Sequence, residues 1–255
     1  MEIVVASATE VALVTGGARR IGRAIVLRLA EAGYAVAIHC NGSRAEALAL
    51  AEEIGAAGGR AHVVAADLVD PAAVEGIVPE AETALGPVSL LVNSASSFLV
   101  DDLLALDVQT WNRQFSINLR APSVLAGTMA NRLPADRQGA IVNIVDQRVW
   151  KLTPQYYSYT LTKAALLTAT TTMAQALAPR IRVNAVGPGP TFANPHDGEA
   201  LLATEAGGTP LARKVEADDI AEAVLYLARA KAVTGQMIAV DAGQHIAWRT
   251  PDIVG

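Results

Sequence analysis

Several residue types are scarce in this chain, and each scarcity excludes a class of protein. A single cysteine, Cys40, cannot form an internal disulfide, which fits a reducing compartment. There are 20 Lys and Arg against 25 Asp and Glu, so the chain lacks the basic surplus that binding to nucleic acid phosphates requires. The four histidines show no metal-ligand spacing, and we expect no metal site.

Long hydrophobic runs are also missing. The longest stretch without a charge, residues 83–100, is interrupted by Gly86, Pro87 and Asn93, so we expect no membrane-spanning segment. The first apolar run has no basic residues before it, and no signal peptide is expected. Because 52% of the residues are hydrophobic and the net charge is only -5, a disordered chain is excluded. We therefore expect a cytoplasmic enzyme or binding protein.

Short apolar runs alternate with longer amphipathic stretches along the chain, as they do in repeated βα units. The runs predict seven strands, at 11–14, 35–38, 62–66, 88–92, 140–145, 181–186 and 237–241. The stretches predict helices at 21–32, 44–57, from Pro71 onward, and at 108–132, 155–178 and 217–229. This pattern predicts an α/β fold, a single domain over residues 1–255 with one doubly wound, Rossmann-like parallel sheet of about seven strands and helices on both faces. Residues 191–208, rich in glycine and proline, are expected to form a mobile lid.

A glycine-rich turn follows the first predicted strand, with the sequence TGGARRIG at residues 15–22. Such a turn lets the backbone approach a pyrophosphate, which then lies at the N-terminus of the next helix. Arg20 stands where the middle glycine of a TGxxxGxG motif would be. Two adjacent arginines, Arg19 and Arg20, favour a ligand with an additional negative group.

The end of the second predicted strand indicates which dinucleotide binds. NAD-binding folds place an acidic residue there for the ribose 2′-hydroxyl. This chain has no acid between His39 and Arg44, and Ser43 and Arg44 would instead favour a 2′-phosphate. We therefore predict NADPH, with Arg20 and Ser43 holding the 2′-phosphate. Cys40 lies nearby, and the sequence assigns it no role.

Tyr159 and Lys163 are four residues apart on a predicted helix and share one face. Asp146 ends the fifth predicted strand, at the sheet edge where doubly wound folds bind ligands. A lysine ammonium near a phenol is expected to lower the pKa of Tyr159 toward neutrality and to make it a proton donor. These three residues are predicted to be catalytic.

Six segments together resemble the short-chain dehydrogenase/reductases over nearly the whole chain. They are TGGARRIG, Asp67-Leu68, Asn93-Ser94-Ala95-Ser96, Asn118, Tyr159 with Lys163, and Val186-Gly187-Pro188-Gly189. Within that superfamily, Arg20, Ser96, Ser97-Phe98 and Asp146 resemble the pteridine reductases and the bacterial dihydromonapterin/dihydrofolate reductases. Ser94, where a second asparagine is more usual, and the lack of a second basic residue at 39–43 depart from those patterns.

The resemblance implies roles for individual residues. Asn118 would complete the catalytic set by holding a water that relays protons to Lys163. Substrate contacts are implied for Ser96, Phe98, Asp146 and Tyr159, with Phe98 stacking on a flat pterin. From sequence alone, a core position for Phe98 is an equal alternative. Cofactor contacts are implied for Gly16, Arg19, Arg20, Ile21, Gly22, Asn41, Ser43, Asp67, Leu68, Asn93, Ala95, Ser96, Tyr159, Lys163, Pro188 and Gly189.

The leading hypothesis is an NADPH-dependent reductase of a dihydropterin. An ionised Asp146 would repel the alkoxide formed when a ketone is reduced, whereas a pterin C=N bond needs a proton and offers N–H donors. One alternative is a general carbonyl or sugar reductase, and another is a catalytically idle NADP-binding sensor. The resemblance also implies a homotetramer formed through two long helices and the last strand.

Overall fold

The alternating sequence pattern becomes alternating strands and helices in a computed structural model, which describes residues 9–194 and 198–248. The strands are β1 (Val11–Thr15), β2 (Ala35–Cys40), β3 (Ala61–Ala65), β4 (Val88–Asn93), β5 (Gly139–Ile144), β6 (Ile181–Pro188) and β7 (Met237–Val240). The helices are α1 (Arg20–Glu31), α2 (Arg44–Ala56), α3 (Pro71–Leu85), α4 (Val108–Phe115), α5 (Ala121–Arg132), α6 (Tyr157–Leu177), α7 (Gly198–Gly207) and α8 (Ala217–Arg229).

All seven strands form one parallel sheet in the order β3-β2-β1-β4-β5-β6-β7. In the middle of the sheet Leu13 pairs with Ala37 on one side and with Leu91 on the other. The chain order reverses between β1 and β4, which is where doubly wound folds bind ligands. The predicted seven-stranded, Rossmann-like fold is therefore confirmed.

Alternate residues of the buried strands supply two cores, one on each face of the sheet. Ala12 and Val14 face the layer of α1, α2 and α8. Val11 and Leu13 face the opposite layer, which contains α3, α5 and α6. Because both faces are covered, the strands had to be continuously apolar, and this explains why they were recognisable in the sequence.

The predicted helix over 108–132 is interrupted by one turn of π-helix at Ser116–Arg120, between α4 and α5. Pro122 supplies the physical reason, because it has no N–H to donate to the carbonyl of Asn118 four residues earlier. The chain accommodates this defect with a wider turn, in which the N–H of Ala121 bonds to the carbonyl of Ser116. The predicted helix thus forms over its full length, with one π-helical turn that the sequence prediction did not include.

The segment after β6 also differs from the expectation of an irregular lid. Residues 198–207 form α7, and Leu202 on that helix is buried. The run Glu199-Ala200-Leu201-Leu202-Ala203 has high helix propensity, which outweighs the glycines at the two ends of the helix. Pro195, part of the predicted lid, lies outside the described residues.

Within residues 9–194 and 198–248, no helix is both long and apolar enough to cross a bilayer. In the same residues, no three or more His, Cys, Asp or Glu side chains lie together in a group that could hold a metal ion.

Candidate active site

A cleft of about 670 Å³ opens at the carboxyl edge of the sheet. Of the predicted site residues, Asn93 and Asn118 do not line it and lie buried behind its wall. All the others do: Gly16, Arg19, Arg20, Ile21, Gly22, Asn41, Ser43, Asp67, Leu68, Ala95, Ser96, Phe98, Asp146, Tyr159, Lys163, Pro188 and Gly189. The structure therefore brings residues from almost the whole chain to one site.

The glycine-rich turn between β1 and α1 forms the floor of one end of the cleft. Gly16 has φ +63°, and a Cβ there would lie 2.9 Å from the Cα atom of Ala95. A Cβ on Gly22 would lie 2.1 Å from the carbonyl oxygen of Gly16. Side chains are thus excluded at both positions, and the backbone is left open toward the cleft, as binding of a phosphate requires.

His39, at the end of β2, supports this turn and was not identified from the sequence. Its Nδ1 atom accepts the Gly16 N–H at 3.2 Å, and its Nε2 atom lies 3.1 Å from the carbonyl oxygen of Ala66. This pair of contacts requires a neutral ring with its proton on Nε2. Burial lowers the pKa of His39 to about 4, which keeps the ring neutral. No local sequence signal indicated this role, because His39 lies next to the turn only once β1 and β2 pair in the sheet.

Arg20 has the left-handed backbone, φ +53°, that the middle glycine of a TGxxxGxG motif supplies. Its Nη2 atom donates to the carbonyl of Ala193 at 2.7 Å, and its guanidinium lies 5.0 Å from the ring centroid of Phe192. Both partners follow β6, on the side of the sheet away from β2 and Ser43. Arg20 thus bonds to the segment after β6 and not to Ser43, although both residues line the cleft, and their joint role at a 2′-phosphate stays a prediction. Arg19 lies nearer to the start of α2, where it pairs with Glu46 at 3.6 Å.

Tyr159 and Asp146 form a direct hydrogen bond at the other end of the cleft. The phenol Oη donates to Asp146 Oδ2 at 2.9 Å, and Asp146 Oδ1 accepts the backbone N–H of Arg148 at 2.8 Å. Burial raises the pKa of Tyr159 well above its usual value, and the Asp146 carboxylate raises it further. The expectation of a phenol tuned toward neutrality was wrong, and Tyr159 instead holds its proton firmly.

Lys163 is buried below Tyr159. Its Nζ atom donates to the carbonyl of Ile144 at 2.8 Å and lies 5.7 Å from the centre of the Tyr159 ring. Burial lowers the pKa of Lys163 to about 8, and the charge of Asp146 partly opposes this shift. The i, i+4 spacing on α6 thus places the two side chains together, as predicted.

Asn118 and Asn93 act inside the protein. The Asn118 amide bonds to both backbone groups of Ser97, at 2.7 and 2.8 Å, and to Thr162 Oγ1 at 3.0 Å. The hydrogen bonds found for its side chain thus lead to the segment before Phe98 and to Thr162, and none of them reaches Lys163. Asn93 donates to Asn143 Oδ1 at 2.8 Å, across β4 and β5.

Phe98 lies in the wall of the cleft, half-buried, and does not occupy the core position that was the alternative. Its ring stacks on Tyr156 at 4.4 Å between centroids and meets Tyr159 edge-on at the same distance. Tyr156 has the left-handed backbone conformation, φ +55°, directly before α6. Asn194 donates to the Tyr156 hydroxyl at 3.2 Å, so the segment after β6 contacts this aromatic wall.

The comparisons with known proteins agree with this geometry. The matching family model, enoyl-(acyl carrier protein) reductase, covers residues 16–245. The chain is 35% identical over 243 residues to 3-oxoacyl-[acyl-carrier-protein] reductase FabG of Staphylococcus aureus (strain Mu50), over 93% of this chain and 99% of that protein. It is 34% identical over 250 residues to a short-chain type dehydrogenase/reductase of Picea abies, over 92% of each chain.

Among solved structures, this chain is similar to FolM alternative dihydrofolate reductase 1 from Brucella canis, complexed with NADP. The two chains are 51% identical with a TM-score of 0.94, and the match covers 97% of this chain and 98% of that one.

Proposed function

The chain belongs to the short-chain dehydrogenase/reductase family, and on that premise we propose that it uses NADPH to reduce a dihydropterin such as dihydromonapterin, dihydrobiopterin or dihydrofolate. The observation that carries the proposal is the Asp146 carboxylate, 2.9 Å from the phenol Oη of Tyr159. The identity of 51% with a dihydrofolate reductase that binds NADP supports the same substrate class.

The residues of the cleft fit NADPH. The glycine-rich turn has no room for side chains at Gly16 and Gly22, so its backbone can hold a pyrophosphate. At the start of α2, the Ser43 hydroxyl makes no capping bond to its own helix, and no acid lines the cleft from His39 to Ser43. That helix N-terminus favours a 2′-phosphate over a free hydroxyl. When bound, reduced nicotinamide supplies the hydride for the reaction.

The protein's own groups supply the proton and orient the substrate. Tyr159 keeps its proton until a more basic atom is placed against it, because burial and Asp146 both raise its pKa. Such an atom is a ring nitrogen that has just received negative charge. The Asp146 carboxylate can accept N–H groups from an amino-pyrimidine edge. Lys163, held by the carbonyl of Ile144, is positioned to stabilise the phenolate that remains.

The carboxylate also argues against the alternative of a general carbonyl or sugar reductase. Reduction of a ketone builds an alkoxide, and a second negative charge beside Tyr159 would destabilise it. An imine nitrogen is more basic than a ketone oxygen, so it can take the proton of Tyr159 as the hydride arrives and builds up less negative charge beside Asp146. Because the chain is 35% identical to a 3-oxoacyl reductase, the test of this alternative includes a 3-oxoacyl thioester as a substrate. An idle sensor is disfavoured, because it would not need the Tyr159–Lys163 pair.

The test follows NADPH oxidation with three dihydropterins and a 3-oxoacyl thioester. Asp146→Ser should lower the rate with a dihydropterin by about 10–150-fold, the value of a lost hydrogen bond to a charged group, and leave the Kd of NADPH unchanged. Asp146→Asn should be equally poor, since an amide keeps the size without the charge. Tyr159→Phe is the control that abolishes activity with every substrate. Full dihydropterin activity in Asp146→Ser, or none in the wild type, would refute the proposal.

We also propose a homotetramer. The edge strand β7 is half-exposed along its whole length, and edge strands with free backbone groups commonly associate. Apolar side chains lie exposed just beyond it, with Ile246 at 63% and Trp248 at 58%. Burial of this surface between copies would remove it from water.

A further inference from the structure

Two buried amides on consecutive helical turns hold the segment that carries Phe98. Gln114, at the end of α4, is fully buried, and Asn118, in the π-helical turn, is 1% exposed. Residues four apart lie on one face of a helix, so both amides point the same way. We infer that Gln114 is a positioning residue which, together with Asn118, sets the place of Phe98 relative to Tyr159.

Each amide bonds to the backbone on one side of Phe98. The Oε1 atom of Gln114 accepts the N–H of Leu99 at 3.2 Å, and its Nε2 atom contacts the carbonyl of Leu99 at 3.4 Å. Asn118 bonds to the N–H and carbonyl of Ser97, at 2.7 and 2.8 Å. This segment has no regular secondary structure, so these side chains replace the ladder of a strand.

The same amides reach the helix that carries the proton donor. The Nε2 atom of Gln114 donates to Ser158 Oγ at 2.7 Å, and Asn118 donates to Thr162 Oγ1 at 3.0 Å. Ser158 and Thr162 lie on either side of Tyr159 in α6. The amide clamp, defined as Gln114 and Asn118, thus joins the flanks of Phe98 to the flanks of Tyr159 and fixes the two rings 4.4 Å apart.

The consequence is a fixed position of the Phe98 ring beside the phenol in the wall of the cleft, and a flat conjugated ring is the substrate that packs best against such an aromatic side chain. The ring's identity as a pterin rests on the proposed function, whereas the clamp itself does not. Loss of the clamp would let Phe98 shift, so that a flat substrate is held less tightly. The cofactor end of the cleft, built on β1 and β2, would be unaffected.

The test variant is Gln114→Met, which keeps the size of the side chain and removes its polar contacts. The KM for a dihydropterin should rise about tenfold, as expected for a lost buried hydrogen bond, with a smaller change in kcat. The Kd of NADPH should stay within about twofold of wild type. A KM equal to that of the wild type would overturn the inference.

Asn184→Leu is the matched control for a general loss of stability. Asn184 is also buried, and its amide also clamps two backbone groups, those of Val233 and Gln236, at 2.9 and 3.1 Å. It does not line the cleft. The KM of Asn184→Leu should equal that of the wild type. An equal rise in the KM of Asn184→Leu and of Gln114→Met would overturn the inference. If Gln114→Met fails to fold, Ser158→Ala removes one contact of the clamp and should raise the KM about threefold; an unchanged KM there would overturn it as well.

Hydrogen exchange separates this inference from the proposed function. The backbone N–H groups of Ser97 and Leu99 should exchange faster in Gln114→Met than in the wild type and in Asn184→Leu. This measurement needs no turnover, so it decides the inference even if the wild type reduces no dihydropterin. Unchanged protection of these two groups would show that Gln114 does not hold the segment.

Discussion

Acidification is expected to destabilise this protein through one residue, His39. Its Nδ1 atom accepts the Gly16 N–H at 3.2 Å, and a protonated imidazole has no lone pair for that bond. Burial lowers the pKa of His39 to about 4, although the Ala66 carbonyl and Asp67 partly oppose the shift. The charged ring is therefore excluded from the folded state until the pH falls well below its usual range.

The sign and size of the effect follow from the two pKa values. In the unfolded chain His39 binds its proton near pH 6.5, and in the folded chain near pH 4. Between these values the unfolded state binds more protons, so the free energy of unfolding falls as the pH is lowered through that window. The full difference between the two pKa values corresponds to about 3 kcal/mol in the free energy of unfolding. About 2 kcal/mol of it is lost between pH 7 and pH 5.

The assay is urea unfolding at pH 7, 6 and 5 for the wild type and His39→Asn. The Oδ1 atom of asparagine preserves an acceptor for the Gly16 N–H and does not titrate. Every other titrating group is common to both proteins, so the difference in their pH dependence isolates His39. His62→Asn, at a half-exposed histidine on β3, is the matched control for replacing a histidine by asparagine.

We expect the wild type to lose about 2 kcal/mol more than His39→Asn between pH 7 and pH 5. The Kd of NADPH should also rise in the wild type as the pH approaches 4, and it should rise less in His39→Asn. Equal losses of stability in both proteins would refute the assignment of His39 as a buried neutral support of the glycine-rich turn.

Three other outcomes are expected. Gly16→Ala should raise the Kd of NADPH at least about tenfold in a fluorescence titration. The reason is that Gly16 has φ +63° and that a Cβ there would meet Ala95 at 2.9 Å. An unchanged Kd would contradict the phosphate-binding role of this turn. NADPH should bind more tightly than NADH by about 1.5–3 kcal/mol in calorimetry, the value of charge-assisted hydrogen bonds at Ser43 and the start of α2, and equal Kd values would count against this subsite. Light scattering should give four times the chain mass of 26.5 kDa, whereas the mass of a single chain at micromolar concentration would rule the tetramer out.

Some features of the site were accessible from local sequence and others were not. The segment after β6 was expected to be irregular because of its glycines and prolines, yet its central run favours a helix and forms α7. The helix expected at 108–132 is present but contains a π-helical turn, which Pro122 could have indicated. Gln114 was missed because a glutamine in a helix carries no signal until its partners in the folded chain are known.

The sequence alone determined the order of the strands along the chain, the glycine-rich turn and the face shared by Tyr159 and Lys163. These features depend on neighbours a few residues away, since burial on both faces demands continuously apolar strands, and i, i+4 spacing places side chains together. The family and the use of NADP, both inferred from such motifs, agree with the comparisons.

Only the tertiary structure decided the direction of the pKa shift of Tyr159 and the destination of Arg20. Burial and the contact with Asp146, thirteen residues away, raise the pKa of Tyr159, where the helical spacing with Lys163 suggested the opposite. Arg20 reaches Ala193, 173 residues later in the chain. The pKa of Tyr159 depends on desolvation, and both results depend on distances between segments that are remote in the chain. Desolvation and these distances are set only when the sheet brings the ends of its strands together.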